Sequence, residues 1–236
     1  MICVDLVIPV HNEALILENK VNTLLSSSIY PIHKIILIEN GSKDASWELC
    51  QKIAHQHSAK IIALKSNIAD MGEALMIGIR RSYQEPESTH FLLTAADLPF
   101  EFSDFDGFLK TQKELQPPAV VIGSKSHPQS VLERSPIRIL MTLCYRWIRW
   151  MVLGLSIGDT QGTFFVSKSL PLSLIEKTRG RGFFFTTELT YHLQRAHQAI
   201  VEVPITLKPN ERKSSVRIFR DSYRMLKEIF KLRLRN

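Results

Sequence analysis

Short runs of consecutive apolar residues alternate along the chain with segments whose apolar positions recur every three to four residues. The runs at 3–10, 33–38, 60–64, 91–95 and 119–123 predict buried strands. Between them, 13–26 places Leu15, Leu17, Val21, Leu24 and Leu25 at helical spacing. Further helices are predicted over 45–57, with Asp44 or Ser46 as cap, and over 72–83 and 105–115. Repeated β-α-β units of this kind predict an α/β fold, a mostly parallel sheet with helices on both faces.

The pattern changes after residue 123. Residues 124–134 are polar and read as a mobile loop. The apolar helix pattern over 137–155 is interrupted by Arg138, Arg146 and Arg149, with Trp147 and Trp150 beside them. Those arginines break it too often for a transmembrane span. It suits either a bilayer interface or a core helix with an arginine-bearing edge. A short strand at 163–166, helices at 170–178 and 186–197, and a last strand at 199–207 follow. The segment 216–234 is amphipathic, with Val216, Phe219, Tyr223, Leu226, Phe230 and Leu234 on one stripe.

At 236 residues, 44% hydrophobic and 22% charged, the composition is that of an ordinary globular protein. Cys3, Cys50 and Cys144 lie far apart, which speaks against a zinc knuckle or disulfide framework and fits a reducing compartment. The first residues carry no basic leader or cleavage signature, so no signal peptide is expected. The net charge of +7 is uneven: from Pro209 onward nine Lys or Arg face three carboxylates. Such a segment serves nucleic acid or an anionic membrane. No nucleic-acid-binding signature accompanies it, so membrane is the expected partner and nucleic acid is not.

Candidate chemistry collects at strand ends, where parallel sheets bind ligands. Asp97 follows the strand at 91–95, and Asn12 and Glu13 follow the first strand, with Asn12 also a possible helix cap. Glu39 and Asn40 end the second strand beside Gly41, which permits a tight turn. Asp159 follows Gly158 beyond the sheet segments, and Lys208, Arg212, Lys213 and Arg217 follow the last strand. The histidines show no metal spacing.

Four stretches, in this order and spacing, carry a resemblance. They are Val7-Ile8-Pro9-Val10-His11-Asn12-Glu13, Leu37-Ile38-Glu39-Asn40-Gly41-Ser42-Lys43-Asp44, Thr94-Ala95-Ala96-Asp97-Leu98 and Gly158-Asp159-Thr160-Gln161-Gly162-Thr163-Phe164. Together they resemble the family 2 inverting glycosyltransferases of GT-A (Rossmann-like) fold. Within that family they look most like the polyprenyl-phosphate (dolichyl-phosphate) mannose and glucose synthases. The likeness continues through Thr187-Glu188-Leu189 and Glu202-Val203-Pro204-Ile205. It implies a GT-A domain over 1–207, and a basic amphipathic extension over 208–236 packed on or beside it, with amphipathic helices on the acceptor side.

The resemblance implies a nucleotide-sugar site from Pro9, His11, Asn12, Glu13, Glu39, Asn40, Gly72, Ala96 and Asp97. It implies Asp159 as catalytic base or acceptor-positioning group, beside Asp97. Acceptor or phosphate contacts fall to Gln161, Glu188, Lys125, Arg134, Lys213 and Arg217. The family's D-x-D carboxylates hold Mg2+ or Mn2+ on the donor diphosphate; here the first is Ala95, leaving Asp97 as the metal ligand, and Pro99 stands where some synthases place a glutamine. Mg2+ keeps several waters, so one carboxylate with two phosphates is still a reasonable site. The expected activity is transfer of a sugar from a nucleoside-diphosphate sugar to a polyprenyl phosphate or other lipid-linked acceptor, at the cytoplasmic membrane face or in the cytoplasm. The alternatives are a glycan hydroxyl as acceptor, or a non-catalytic nucleotide-sugar-binding scaffold.

Overall fold

The computed structural model describes residues 1–132, 136–207 and 218–235. In chain order the elements are β1 (Val4–Val10), α1 (Leu17–Ser26), β2 (Ile32–Glu39), α2 (Ser46–Gln56), β3 (Ile61–Lys65), α3 (Met71–Tyr83), β4 (His90–Leu93), α4 (Ser103–Thr111) and β5 (Val120–Ser124). There follow β6 (Val131–Leu132), α5 (Pro136–Leu153), β7 (Thr163–Ser167), α6 (Leu172–Ile175), α7 (Phe184–Arg195), β8 (Ile200–Pro204), β9 (Thr206–Leu207) and α8 (Ile218–Arg235). The fold is α/β with mostly parallel strand pairing, and it divides into two compact units.

The first unit comprises residues 1–98 and 163–176. Its strands run in the order β3-β2-β1-β4-β7; the first four are parallel, and β7 is antiparallel to β4. Apolar residues on both faces bury most of β1 and the carboxyl half of β2, with Asp5 a buried charge among them. Gly78 lets α3 sit down on them: a Cβ there would lie 2.4 Å from Val7 Cγ1 and 2.7 Å from Ile38 Cδ1. This close seat fixes where the amino end of α3 meets the carboxyl edge of the sheet.

The second unit comprises residues 99–162 and 177–236. Here β5 and β8 pair in parallel, as do β6 and β9. Helix α5 and helix α8 share a core in which Leu153, Leu155, Phe184, Tyr191, Ile229 and Leu232 are buried. Arg149 of α5 is buried as well, while Arg146 is exposed, so the arginine-bearing core helix describes the inner face. The outer face of α5 leaves Ile139, Leu140, Leu143, Trp147, Trp150 and Met151 exposed. Among the described residues, no helix is long and apolar enough to cross a membrane.

Several sequence expectations shift. Asn12 is no helix cap, because α1 begins five residues later; its own φ is +56°, and its side chain faces the next loop instead. Ser46 is the first residue of α2 and Ala45 occupies the cap position, so neither Asp44 nor Ser46 is the cap residue; Asp44 Oδ1 accepts the Ser46 N–H at 3.1 Å from one position earlier. Helix α3 starts at Met71, capped by Asp70, whose side chain accepts Glu73 N–H at 3.1 Å. The segment after β5 contains β6 rather than loop alone, and the last strand divides at Ile205 into β8 and β9.

Candidate active site

In the first unit, the carboxyl ends of β1 and β2 lock their loops together. His11 Nδ1 lies 2.7 Å from Asn40 O, and Asn40 N–H donates to Val10 O at 2.9 Å. Asn12 N–H donates to Ser42 Oγ at 3.0 Å, and Asn12 Oδ1 accepts Lys43 N–H at 2.8 Å. Glu13 N–H donates to Ser46 Oγ at 2.9 Å, while Pro9 lies within β1 opposite Ile38. Gly41, at φ +66°, presses on Ala69: a Cβ would meet the alanine Cβ at 2.6 Å. Thus His11, Asn12, Glu13, Glu39 and Asn40 form one cluster.

Glu39 and Asn40 are the most informative members. Glu39 is 1% exposed; its Oε1 accepts Ser42 N–H at 2.5 Å, and Lys65 Nζ stands 3.9 Å from Oε2. Among the described residues, Glu39 Oε2 and the side-chain oxygen of Asn40 have no hydrogen-bond partner. Two adjacent buried acceptors without donors are costly, and suit the hydroxyls or N–H groups of a ligand.

Asp97 follows β4 in a turn closed by Leu98 N–H on Ala95 O at 3.1 Å. Leu98 is buried with φ +49°, a conformation that a branched side chain rarely adopts, so the turn presenting Asp97 is strained. Ala96 is buried and Asp97 partly exposed. Gly72 lies in the first turn of α3, where backbone N–H groups favour an anion. Among the described residues no group of three His, Cys, Asp or Glu is arranged to hold a metal. The donor set offered by the D-x-D position is the single carboxylate of Asp97, with Ala95 beside it. That fits a cation carried in by a diphosphate and waters, not a cage made by protein alone.

In the second unit, Asp159 is 6% exposed and its carboxylate is heavily engaged. Oδ2 accepts Lys125 N–H at 2.8 Å and lies 3.1 Å from Lys125 Nζ; Oδ1 accepts Gln161 N–H at 2.7 Å. Burial pushes the carboxyl pKa up, but the Lys125 charge and the two N–H bonds outweigh it and hold Asp159 below the usual carboxylate range. Lys125 Nζ also donates to Gln161 O and sits 5.4 Å above the Phe100 ring. Its charge therefore serves Asp159.

Gln161 donates its amide to Phe183 O at 2.9 Å and toward Thr187 Oγ1 at 3.1 Å. Thr187 Oγ1 also lies 3.0 Å from Tyr145 OH and 2.9 Å from Thr160 Oγ1. Burial pushes the Tyr145 phenol up to about 12, so it stays a neutral hydroxyl. Next to Thr187, Glu188 is 2% exposed, with Oε1 3.6 Å from His192 Nε2 and 3.7 Å from Arg235 Nη2. Glu188 Oε2 has no hydrogen-bond partner among the described residues. Asp159, Gln161 and Lys125 are thus brought together, with Glu188 next to the threonine that Gln161 binds. Arg134, Lys213 and Arg217 lie outside the described residues.

Sequence reasoning assigned no role to Glu202, which reaches the Asp159 loop from β8. A carboxylate between Val201 and Val203 in a strand was the available signal.

Mostly parallel strands with buried acceptors at the β1 and β2 ends in the first unit make an α/β fold of GT-A type, and the second unit carries a buried acid on a loop. The family described as "Glycosyl transferase family 2" matches residues 5–170, and the chain belongs to it. Among solved structures, glucosyl-3-phosphoglycerate synthase from Mycobacterium tuberculosis in complex with uridine diphosphate aligns with a TM-score of 0.64 at 15% identity, over 99% of this chain and 79% of that one. The same enzyme with Mn2+, uridine diphosphate and glucosyl-3-phosphoglycerate aligns with a TM-score of 0.66 at 14% identity, over 99% and 79% of the two chains. A further complex of that enzyme holds Mg2+ and uridine diphosphate (TM-score 0.64, 14% identity, 99% and 78% coverage). No curated protein matches the sequence.

Proposed function

We propose that this glycosyltransferase moves a sugar from a nucleoside-diphosphate sugar to a polyprenyl (dolichyl-type) phosphate, with inversion. The observation that carries the choice of acceptor is the state of Asp159. A general base must keep a lone pair free and bind the proton it takes. Asp159 already accepts from Lys125 and Gln161, and its pKa is held low. It suits positioning better than proton removal. A phosphate monoester loses its second proton near pH 6, so at neutral pH it attacks without a base.

In this reading a phosphate oxygen forms the bond to the anomeric carbon. The bond from that carbon to the donor's β-phosphate oxygen breaks, and the nucleoside diphosphate leaves with the electron pair. No proton is transferred. Glu39 and Asn40 offer their unpartnered oxygens to base or ribose, and the first turn of α3 at Gly72 offers N–H groups to the diphosphate. Asp97 would hold Mg2+ or Mn2+, which would supply charge neutralisation on the diphosphate; that the mycobacterial structures hold those ions together with uridine diphosphate supports the use of a divalent ion. Asp159 orients the acceptor, and positioning supplies most of the rate. Gln161 and Glu188 line the acceptor side.

A lipid acceptor requires access to a bilayer. The exposed Trp147 and Trp150 on α5, and the exposed Arg224, Lys227 and Phe230 on α8, support a peripheral site on an anionic, cytoplasmic membrane face. The mycobacterial relatives carry phosphoglyceric acid, which makes a hydroxyl acceptor the rival reading.

Replacing Asp159 by Asn separates the two. With a lipid phosphate acceptor, turnover should fall by less than about a hundredfold, whereas loss of a true base costs roughly 10²–10⁴. A loss above about a thousandfold in kcat at unchanged donor affinity would favour the hydroxyl acceptor. Nucleotide-sugar binding with no transfer to either acceptor would favour the non-catalytic scaffold.

A further inference from the structure

The loop that carries Asp159 is held from both polarities by two charged side chains with no assigned role. Glu202 of β8 accepts Gly158 N–H on Oε2 at 2.8 Å and Asp159 N–H on Oε1 at 2.9 Å. Its Oε1 also takes the Ser124 hydroxyl at 2.5 Å, and Ser124 Oγ in turn accepts Ser126 N–H at 3.0 Å. From the other side, the buried Arg149 of α5 donates to Gly158 O at 3.0 Å and reaches Ile157 O at 3.4 Å. The backbone from Ile157 to Asp159 therefore lies between a carboxylate on its N–H groups and a guanidinium on its carbonyls.

Such charge-assisted bonds are stronger than neutral ones, and a carboxylate taking two successive N–H groups fixes a peptide in direction as well as position. Gly158 favours the approach: a Cβ there would lie 3.1 Å from both Glu202 oxygens and 3.0 Å from Ser126 Cβ, tight enough that the side chains would have to give. A loop held merely for stability could be packed with apolar groups at lower desolvation cost. A catalytic loop must be held to within about half an ångström, which directional bonds achieve.

We infer that Glu202, opposed by Arg149, is a positioning residue that sets the Asp159 carboxylate against the acceptor. This rests on the reading of Asp159 as the acceptor-orienting group. Glu202 touches no reacting atom and acts only through the Gly158–Asp159 backbone.

The test is Glu202→Gln in the full chain, whose amide nitrogen would turn a donor toward a backbone N–H. Amide exchange at Gly158 and Asp159 should accelerate at least tenfold, while amides of β1 and β2 stay protected. Uridine and guanosine diphosphate affinities should hold within about twofold, and kcat for transfer to a polyprenyl phosphate should fall at least tenfold. Glu202→Asp, which keeps the charge, should recover part of that loss. Unchanged exchange at Gly158 and Asp159, or unchanged kcat despite faster exchange, overturns the inference. If the wild-type protein makes no transfer to lipid phosphate, the acceptor assignment fails by itself. Glu202 is then judged by exchange together with the Asp159 carboxyl titration, which must shift in Glu202→Gln for the inference to stand. Should Glu202→Gln not fold, Gly158→Ala displaces the same loop from the carboxylate and must give the same pattern.

Discussion

Lys125 Nζ and the Asp159 carboxylate stand 3.1 Å apart, and the Lys125 backbone N–H binds the same oxygen at 2.8 Å. One residue thus supplies both a charge and a fixed dipole to the acid. In the second unit this pair decides what Asp159 can do, because burial alone would have raised its pKa and made it a base.

Lys125→Met should therefore weaken the pH response of the site. In the wild type the depressed pKa contributes stability that is present above the unfolded carboxyl value near 3.8 and is lost as pH falls through the folded value. Without the lysine charge only the two N–H bonds oppose burial, so the folded pKa rises from its depressed value and the stability it contributes above the unfolded value shrinks. The variant should lose about 3 kcal/mol at pH 8 and less at pH 5. Denaturant titrations at the two pH values, with a carboxyl titration of Asp159, check this. A variant with an unshifted Asp159 would show that the lysine does not set the acid.

A second pH effect resides in the first unit. Burial lowers the pKa of His90, at the start of β4, from 6.5 to about 4. The unfolded chain takes up a proton below pH 6.5 that the folded chain refuses until about pH 4, so stability falls as pH falls through that window. Between pH 8 and pH 5 the wild type should lose about 2 kcal/mol more than His90→Gln, measured by urea unfolding. Equal losses would place the histidine outside the effect.

Membrane docking makes a third prediction, and the structure dictates how to test it. Deleting α8 would remove Ile229 and Leu232 from the core they share with α5, so truncation would confuse docking with unfolding. Exposed positions avoid that. Arg224→Gln with Lys227→Gln should weaken binding to anionic vesicles by about 2 kcal/mol, roughly thirtyfold, and high salt should mimic it. Trp147→Ser with Trp150→Ser should weaken binding to neutral and anionic vesicles alike. Unchanged co-sedimentation of both double variants would remove the membrane from the account.

The strands and helices of the first unit were readable because their periods differ: apolar runs such as 35–38 against three-to-four spacing such as Leu17, Val21 and Leu24. The cluster at Glu39 and Asn40 was readable because strand ends are where a parallel sheet exposes its edge. Other features depend on contacts remote in sequence. Lys125 meets Asp159 across 34 positions, and Glu202 meets the same loop across 43. No local pattern encodes such pairs. The two faces of α5 are a further case, since the sequence spacing allows Arg149 to face lipid or core, and only its bonds to Ile157 and Gly158 decide for the core.

The most direct test of the central claim is transfer itself. Purified protein with Mn2+ is offered uridine- and guanosine-diphosphate sugars, with polyprenyl phosphate, the matching free polyprenol, or phosphoglycerate as acceptor, and products are read by mass spectrometry. The account predicts a polyprenyl-phosphate sugar and free nucleoside diphosphate, with an acid limb in the rate near pH 6 set by the acceptor phosphate. It predicts no product on the free alcohol. Transfer to the alcohol or to phosphoglycerate, with none to the lipid phosphate, would contradict it.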